Sequence, residues 1–320
     1  MVDINVHSAA QPMIELRRIH RFFGNTKAVN DVSFEVTRGQ VFGFIGPNGA
    51  GKTTSMRILS TLELPSYGDA FIDGFSVIND PDLVRRRLGF MPDGFSMYPN
   101  MNCVEYLDFF ARSYGLMGKD RIAALRRTLS FTGLDKIASK PITGLSKGMR
   151  QRLCLGRSMI HSPAVLILDE PANGLDPRAR IELRQMIQQL AVDGTTILVS
   201  SHILTELAEM CDQVGIIERG SLLAVGSVAD IRRTIQGALR VEMTALNRGE
   251  QLHSWLHEQA GVLNIKRTGN TLSLELEGGA TEQVALLKAI ISADFAILEF
   301  AAHRETLEDV FMKVTTGAIQ

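Results

Sequence analysis

Eight consecutive residues, Gly46-Pro-Asn-Gly-Ala-Gly-Lys-Thr53, carry the strongest chemical signal in the sequence. They read G-x4-G-K-T, directly after the apolar run Val41-Phe-Gly-Phe-Ile45 and before the helical stretch Ser55-Met-Arg-Ile-Leu59. Glycines in such a loop let backbone N–H groups curl around phosphate oxygens, and the helix that follows adds the positive partial charge of its N-terminus. In this pattern Lys52 reaches the β- and γ-phosphates of a nucleoside triphosphate and Thr53 ligates Mg2+. The candidate cradle is therefore Gly46, Pro47, Asn48, Gly49, Ala50, Gly51, Lys52, Thr53 and Thr54.

Two acids follow the run Val165-Leu-Ile-Leu168, at the carboxyl edge where ligands of open α/β sheets lie. Asp169 is placed to hold the magnesium shell, and Glu170, one residue further, to orient and polarise an attacking water. An acidic pair at a strand end is otherwise commonplace. Its meaning comes from the phosphate loop beside it.

The elements that must position these groups can be read from periodicity. Met13 to Ile19 and Asp31 to Val36 alternate apolar with polar residues and read as half-buried antiparallel strands of a flanking layer. The runs at 41–45, 164–168, 195–199 and 214–217 are continuously apolar, as in a parallel sheet buried on both faces. Helical patterns separate them, so the core is α/β. Residues 97–141 are helical in period and form an all-helical insertion. Past Gly226 the pattern changes. From Leu239 the order strand (239–244), helix (250–259), strand (262–267), strand (271–277), helix (281–292), strand (295–301) is the βαββαβ ferredoxin-like plan, with a closing helix from 304. The expected organisation is a disordered leader (1–12), a first domain (13–225), a linker (226–238) and a small α+β domain (239–320).

Composition restricts the function. With 320 residues, 45% hydrophobic, the chain has enough apolar material for two cores. The 34 Lys and Arg balance 35 Asp and Glu, so there is no strong field to gather nucleic acid. No uncharged apolar stretch reaches the length of a membrane span, and the first twelve residues, with Asp3, lack the core of a secretory signal, so an intracellular soluble chain is expected. Cys103, Cys154 and Cys211 have no C-x-x-C grouping and read as small buried hydrophobes. His253 and His257 stand i, i+4 but lack a third ligand, and Arg85-Arg-Arg87 reads as an exposed helix end.

Leu145-Ser-Lys-Gly-Met-Arg-Gln151, eighteen residues before Asp169, resembles the signature sequence of ABC transporter ATPases, and with the loop and the acidic pair it identifies that family over residues 13 to 225. The resemblance implies a P-loop NTPase cassette with a parallel core sheet, an antiparallel β-layer and a helical subdomain. It binds ATP and Mg2+ in a head-to-tail homodimer, the signature of one copy closing over the ATP of the other. Carried over residue by residue, Ser146 and Gly148 bind the partner's nucleotide. Phe23 stacks on adenine, unless its neighbour Phe22 does. Asp176, in Gly174-Leu-Asp176, aligns the partner site, and His202 is the switch histidine that contacts the γ-phosphate.

Two positions depart from the family pattern. Phe90-Met-Pro-Asp93 has Asp93 where a glutamine is usual; its carboxylate can approach Mg2+ or the water but adds negative charge beside phosphates. Lys147 and Met149 replace the usual glycine and glutamine, and Lys147 either contacts the partner's nucleotide or faces solvent. The resemblance further implies integral-membrane permease subunits that dock beside the helical insertion, near Asp93 to Tyr114, and a location on the cytoplasmic face of the membrane. Arg304 to Phe311, after the small domain, is similar to the tail of cassettes from drug, polysaccharide and lipid exporters. Competing classes are a soluble ATPase that remodels a protein or nucleoprotein complex, and a clamp that binds ATP with little turnover.

Overall fold

A computed structural model describes residues 11–94, 98, 100–227, 230 and 239–303. The chain divides into two compact units, Met1–Val228 and Ala229–Gln320. The expected leader lies outside the described residues except for Gln11 and Pro12. The closing helix from 304 and most of the expected linker also fall outside them.

In the first unit, β1 (Ile14–Phe23), β2 (Thr26–Val36), β4 (Tyr67–Ile72) and β5 (Phe75–Ser76) form an antiparallel layer ordered β2-β1-β4-β5. The main sheet is ordered β10-β9-β3-β8-β7-β6, from β3 (Val41–Ile45), β6 (Leu88–Met91), β7 (Val165–Leu168), β8 (Thr196–Ser201), β9 (Gln213–Glu218) and β10 (Ser221–Ser227). β3 is parallel to β8 and β9, and β7 to β6 and β8, while β10 runs back along β9 as an antiparallel edge. Every residue of β3, β7 and β8 is buried, the burial on both faces that their unbroken apolar runs require. The two sheets share a core in which Phe34 of β2 stacks on Phe42 of β3, centroids 4.7 Å apart.

Helices α1 (Lys52–Leu59), α2 (Pro81–Arg87), α5 (Lys147–Met159), α6 (Pro177–Val192) and α7 (Leu204–Ala208) connect or cover the strands. The insertion holds α3 (Cys103–Ser113) and α4 (Gly118–Phe131), with a core of its own built on Tyr106, Leu107, Leu129 and Leu153. A capping box of Asn102 and Glu105 starts α3, and a bridge between Asn102 and Pro141 ties the two ends of the insertion together. Cys103 and Cys154 are buried and Cys211 is partly so.

The second unit runs β11 (Leu239–Ala245), α8 (Gly249–Leu256), β12 (Val262–Thr268), β13 (Thr271–Leu276), α9 (Ala280–Ser292) and β14 (Ile297–His303). Its antiparallel sheet is ordered β12-β13-β11-β14, and alternate residues Leu239, Val241 and Met243 turn into a core with Leu252, Leu256, Leu286 and Ile290. This is the ferredoxin-like plan expected from the element order. At the other end of the interval, β10 continues through Gly226 and Ser227, so the stretch assigned to a linker begins inside a strand. No helix among the described residues is long and apolar enough to cross a membrane.

Candidate functional site

The loop at 46–53 leaves the carboxyl end of β3 and enters α1, whose N-cap Gly51 has φ +108°. A Cβ there would lie 2.4 Å from the Ala28 carbonyl oxygen, and one at Gly46 would lie 2.2 Å from that of Ile217, so glycine is required at both positions by close approach of backbone. The loop is stitched to the turn after β9, where Gly220 N–H donates to Ala50 O at 2.9 Å. Lys52 is buried and folds back along the loop, donating to Gly46 O at 2.6 Å and Pro47 O at 3.3 Å. Its Nζ also stands 3.4 Å from Glu170 Oε1.

Asp169 and Glu170 follow β7 at the same edge and are both buried. Asp169 Oδ1 accepts a hydrogen bond from Ser200 Oγ at 2.7 Å. The Thr53 hydroxyl approaches the same carboxylate, yet Oδ2 has no hydrogen-bond partner among the described residues. Burial holds the Asp169 carboxyl above its usual range, opposed by Ser200 and Thr53 and reinforced by the charges of Glu170 and Asp93. An orphaned, buried carboxylate oxygen beside a threonine hydroxyl is the donor set of a hard cation, so Thr53 and Asp169 fit Mg2+.

Glu170 has φ +47°, a region that non-glycine residues rarely occupy. Its N–H donates to Ser200 Oγ at 2.8 Å, and its Oε2 lies 2.9 Å from His202 Nδ1. A carboxylate only accepts, so the shared proton sits on Nδ1. Lys52, Thr53, Asp169, Glu170 and His202 therefore come together around one point, from three separate segments of the chain.

The remaining candidates are placed as follows. Asp93 is exposed and accepts from Asn173 Nδ2 at 3.3 Å; its contact is with the loop after Glu170, and among the described residues no three acidic, His or Cys side chains form a metal-holding group. Phe23 is 47% exposed, with the Arg21 guanidinium 4.5 Å from its ring centroid, whereas Phe22 is packed edge-on to Tyr67 and His20. Ser146 caps α5 by accepting from Met149 N, and Gly148 packs closely on Ala179. Asp176 caps α6 by accepting from Ala179 N at 2.9 Å. Lys147 lies against Gly174 of that same loop. Among the described residues, no hydrogen bond or ion pair joins Ser146, Lys147 or Gly148 to the phosphate loop.

Sequence reasoning did not single out Ser200, Asn173 or Gln151 for the site. Gln151 is buried on α5 and donates from Nε2 to Pro171 O at 2.9 Å, directly after Glu170. The signal available for Ser200 was a hydroxyl ending an otherwise apolar strand next to the one that carries the acids.

Residues 29–173 match the family described as ABC transporter, and residues 226–315 match the ATP-binding protein DrrA1-3-like C-terminal domain. The Nod factor export ATP-binding protein I of Cupriavidus pinatubonensis (strain JMP 134 / LMG 1197) is 33% identical over 310 residues, covering 96% of this chain and 92% of that protein. The linearmycin resistance ATP-binding protein LnrL of Bacillus subtilis (strain 168) is 27% identical over 305 residues, covering 95% and 98%. A solved structure of the ATP binding subunit of an ABC transporter superposes with a TM-score of 0.64 at 31% identity, covering 69% of this chain and 92% of the other. With the phosphate loop, the acidic pair and the signature all on this fold, the chain belongs to the ATP-binding proteins of ABC transporters and is an ATPase cassette of that family.

Proposed function

We propose that this chain is the ATP-hydrolysing subunit of an exporter, acting as a head-to-tail pair of cassettes on separate permease subunits at the cytoplasmic face of the cell membrane. One observation carries the reading. The groups that would handle a triphosphate and its attacking water meet at one edge of the main sheet, while Ser146 and Gly148 make no polar contact with that loop in their own chain. A signature left unengaged by its own site suits a second copy. Export is supported by the relatives named for linearmycin resistance and Nod factor export.

In the proposed chemistry the loop N–H groups and the α1 N-terminus bind the phosphates. Lys52 exchanges its contact with Glu170 for the β- and γ-phosphates, which frees Glu170 Oε1 to take the proton of the attacking water. His202, hydrogen-bonded to Oε2, fixes the direction of that carboxylate. Thr53 and Asp169 would hold Mg2+, which when bound neutralises charge on the transferred phosphoryl group. Phe23, exposed at the end of β1, offers the face for adenine.

The test is steady-state phosphate release by the purified full chain with and without Mg2+, together with light scattering of Glu170→Gln in saturating ATP. Magnesium-dependent turnover and an ATP-dependent dimer are expected, along with co-purification of a polytopic protein from native membranes. No magnesium-dependent ATP affinity, with a monomer in the variant, overturns the reading.

A further inference from the structure

We infer that Ser200 is a positioning residue for both carboxylates: it decides which Asp169 oxygen is presented to the cation and anchors the backbone of Glu170 in the pose that aims its side chain. The inference deepens the function proposed above and rests on it.

β7 and β8 are parallel neighbours, with Leu168 paired to Val199, so the next step along each strand puts Asp169 beside Ser200. Ile197, Leu198 and Val199 before it are fully buried aliphatics, and the same environment at Ser200 would accept another. A hydroxyl here is fully removed from water, which is unfavourable unless its hydrogen bonds are replaced. Both are. A serine hydroxyl has one proton to give, and Asp169 Oδ1, at 2.7 Å, receives it. The oxygen's lone pair then accepts the Glu170 N–H at 2.8 Å. No other polarity is available, because a carboxylate cannot donate and an N–H cannot accept.

Two consequences follow from this single oxygen. Because Oδ1 is engaged, Oδ2 is the Asp169 oxygen without a partner among the described residues, and it is held buried with Thr53 beside the carboxylate. Because the Glu170 N–H is anchored, the uncommon left-handed φ of +47° is held by a specific bond at the residue that carries the base. The neighbouring serine does something different. Ser201 Oγ bonds Glu206 Oε2 and accepts from Ile203 N, so it shapes the turn around His202 and leaves the acids to Ser200.

The experiment uses the full chain with Ser200→Ala and Ser200→Thr. In the Glu170→Gln background, which separates binding from turnover, a fluorescent ATP analogue is titrated with Mg2+ and with EDTA. With alanine, affinity in EDTA stays within about twofold, and the gain in affinity given by Mg2+ shrinks by about 10- to 100-fold, the usual cost of removing an outer-shell partner. With Glu170 present, kcat falls by about the same factor at little changed KM. Threonine keeps the hydroxyl, and its recovery of kcat adds support. Wild-type magnesium enhancement and kcat in Ser200→Ala overturn the inference, as does a loss of kcat that only tracks a lower folded fraction in thermal unfolding. If the chain with Ser200 in place shows no magnesium-dependent affinity, the function itself has failed, and the two failures are distinct.

Discussion

His202 Nδ1 stands 2.9 Å from Glu170 Oε2, tying the end of β8 to the end of β7 by a bond between two side chains. Among the described residues the imidazole makes no other hydrogen bond, so under the proposed function the two side chains are expected to act as one unit. Glu170→Gln is expected to lower kcat by about 10²- to 10⁴-fold with ATP binding retained. His202→Ala is expected to lower it by about 10- to 100-fold. The double variant should be no worse than Glu170→Gln within about threefold, because groups acting as a unit are not additive. Phosphate release over the four proteins gives the answer, and losses that multiply would show that the two act independently.

Asp93 reaches the site through the loop after Glu170. Its Oδ1 accepts from Asn173 Nδ2 at 3.3 Å, and its charge adds to the burial that raises the Asp169 carboxyl. Neutralising it removes the wrong sign of charge near phosphates but also weakens a contact that sets that loop. Asp93→Asn is expected to slow kcat by about tenfold, the low end for a group that helps position a reacting water, while ATP affinity changes by less than about twofold. Wild-type values of both constants would remove Asp93 from the chemistry.

Two glycines of the phosphate loop should respond differently to the same added methyl. Gly51, at φ +108°, would place its Cβ 2.4 Å from Ala28 O, while Gly49, at φ +81°, has nothing within 4 Å. Gly49→Ala pays only the left-handed backbone term, about 1–2 kcal/mol. Gly51→Ala must in addition move the β2 backbone or the loop, so it should lose more stability than this and nearly all nucleotide affinity. Urea unfolding and ATP-analogue titration of both variants make the comparison, and equal effects would mean that close approach is not the constraint at Gly51.

Much of this architecture was legible because the signals are local. The buried runs of β3, β7, β8 and β9 and the loop at 46–53 need only a few residues to be recognised. Where local pattern breaks, reading stopped early. β1 reaches Phe23, four residues past the Ile19 at which its alternation ends, because register shifts around Arg17 to Arg21 and a left-handed Arg18 disturb the period of two. β4 went unread because Gly68 and Asp69 interrupt Tyr67–Ile72, and β10 because an exposed edge strand needs no regular apolar face. In the site, the loop and the acids were found, whereas Ser200, Gln151 and Asn173 act across 31, 20 and 80 residues, on pairings that only the folded sheet creates.

Gln151 is the clearest of these distant pairings to test for stability. Gln151 is 4% exposed, and its amide gives the Pro171 carbonyl its hydrogen bond at 2.9 Å. Gln151→Leu keeps the bulk and leaves that carbonyl unsatisfied, which is expected to lower unfolding free energy by about 1–3 kcal/mol. Denaturant midpoints at constant m-value test it, and a neutral change would mean that water reaches Pro171 O.

His161, just past α5, makes stability depend on pH in a window set by its own titration. Its ring stacks on Tyr114 with centroids 3.6 Å apart, Nε2–H donates to Leu88 O at 3.2 Å, and Nδ1 is buried without a partner among the described residues. Burial pushes its pKa down from 6.5 to about 4, with the bond to Leu88 opposing. The unfolded chain therefore binds a proton that the folded chain refuses between these values. The neutral ring's contribution is complete above pH 6.5 and is lost as pH falls toward 4. Relative to His161→Phe, which keeps a stacking ring but cannot titrate, the wild-type chain should lose about 2 kcal/mol between pH 7 and pH 5. Denaturant unfolding of both proteins at the two pH values measures the difference. Parallel losses would mean that a proton reaches Nδ1 without cost in the folded state.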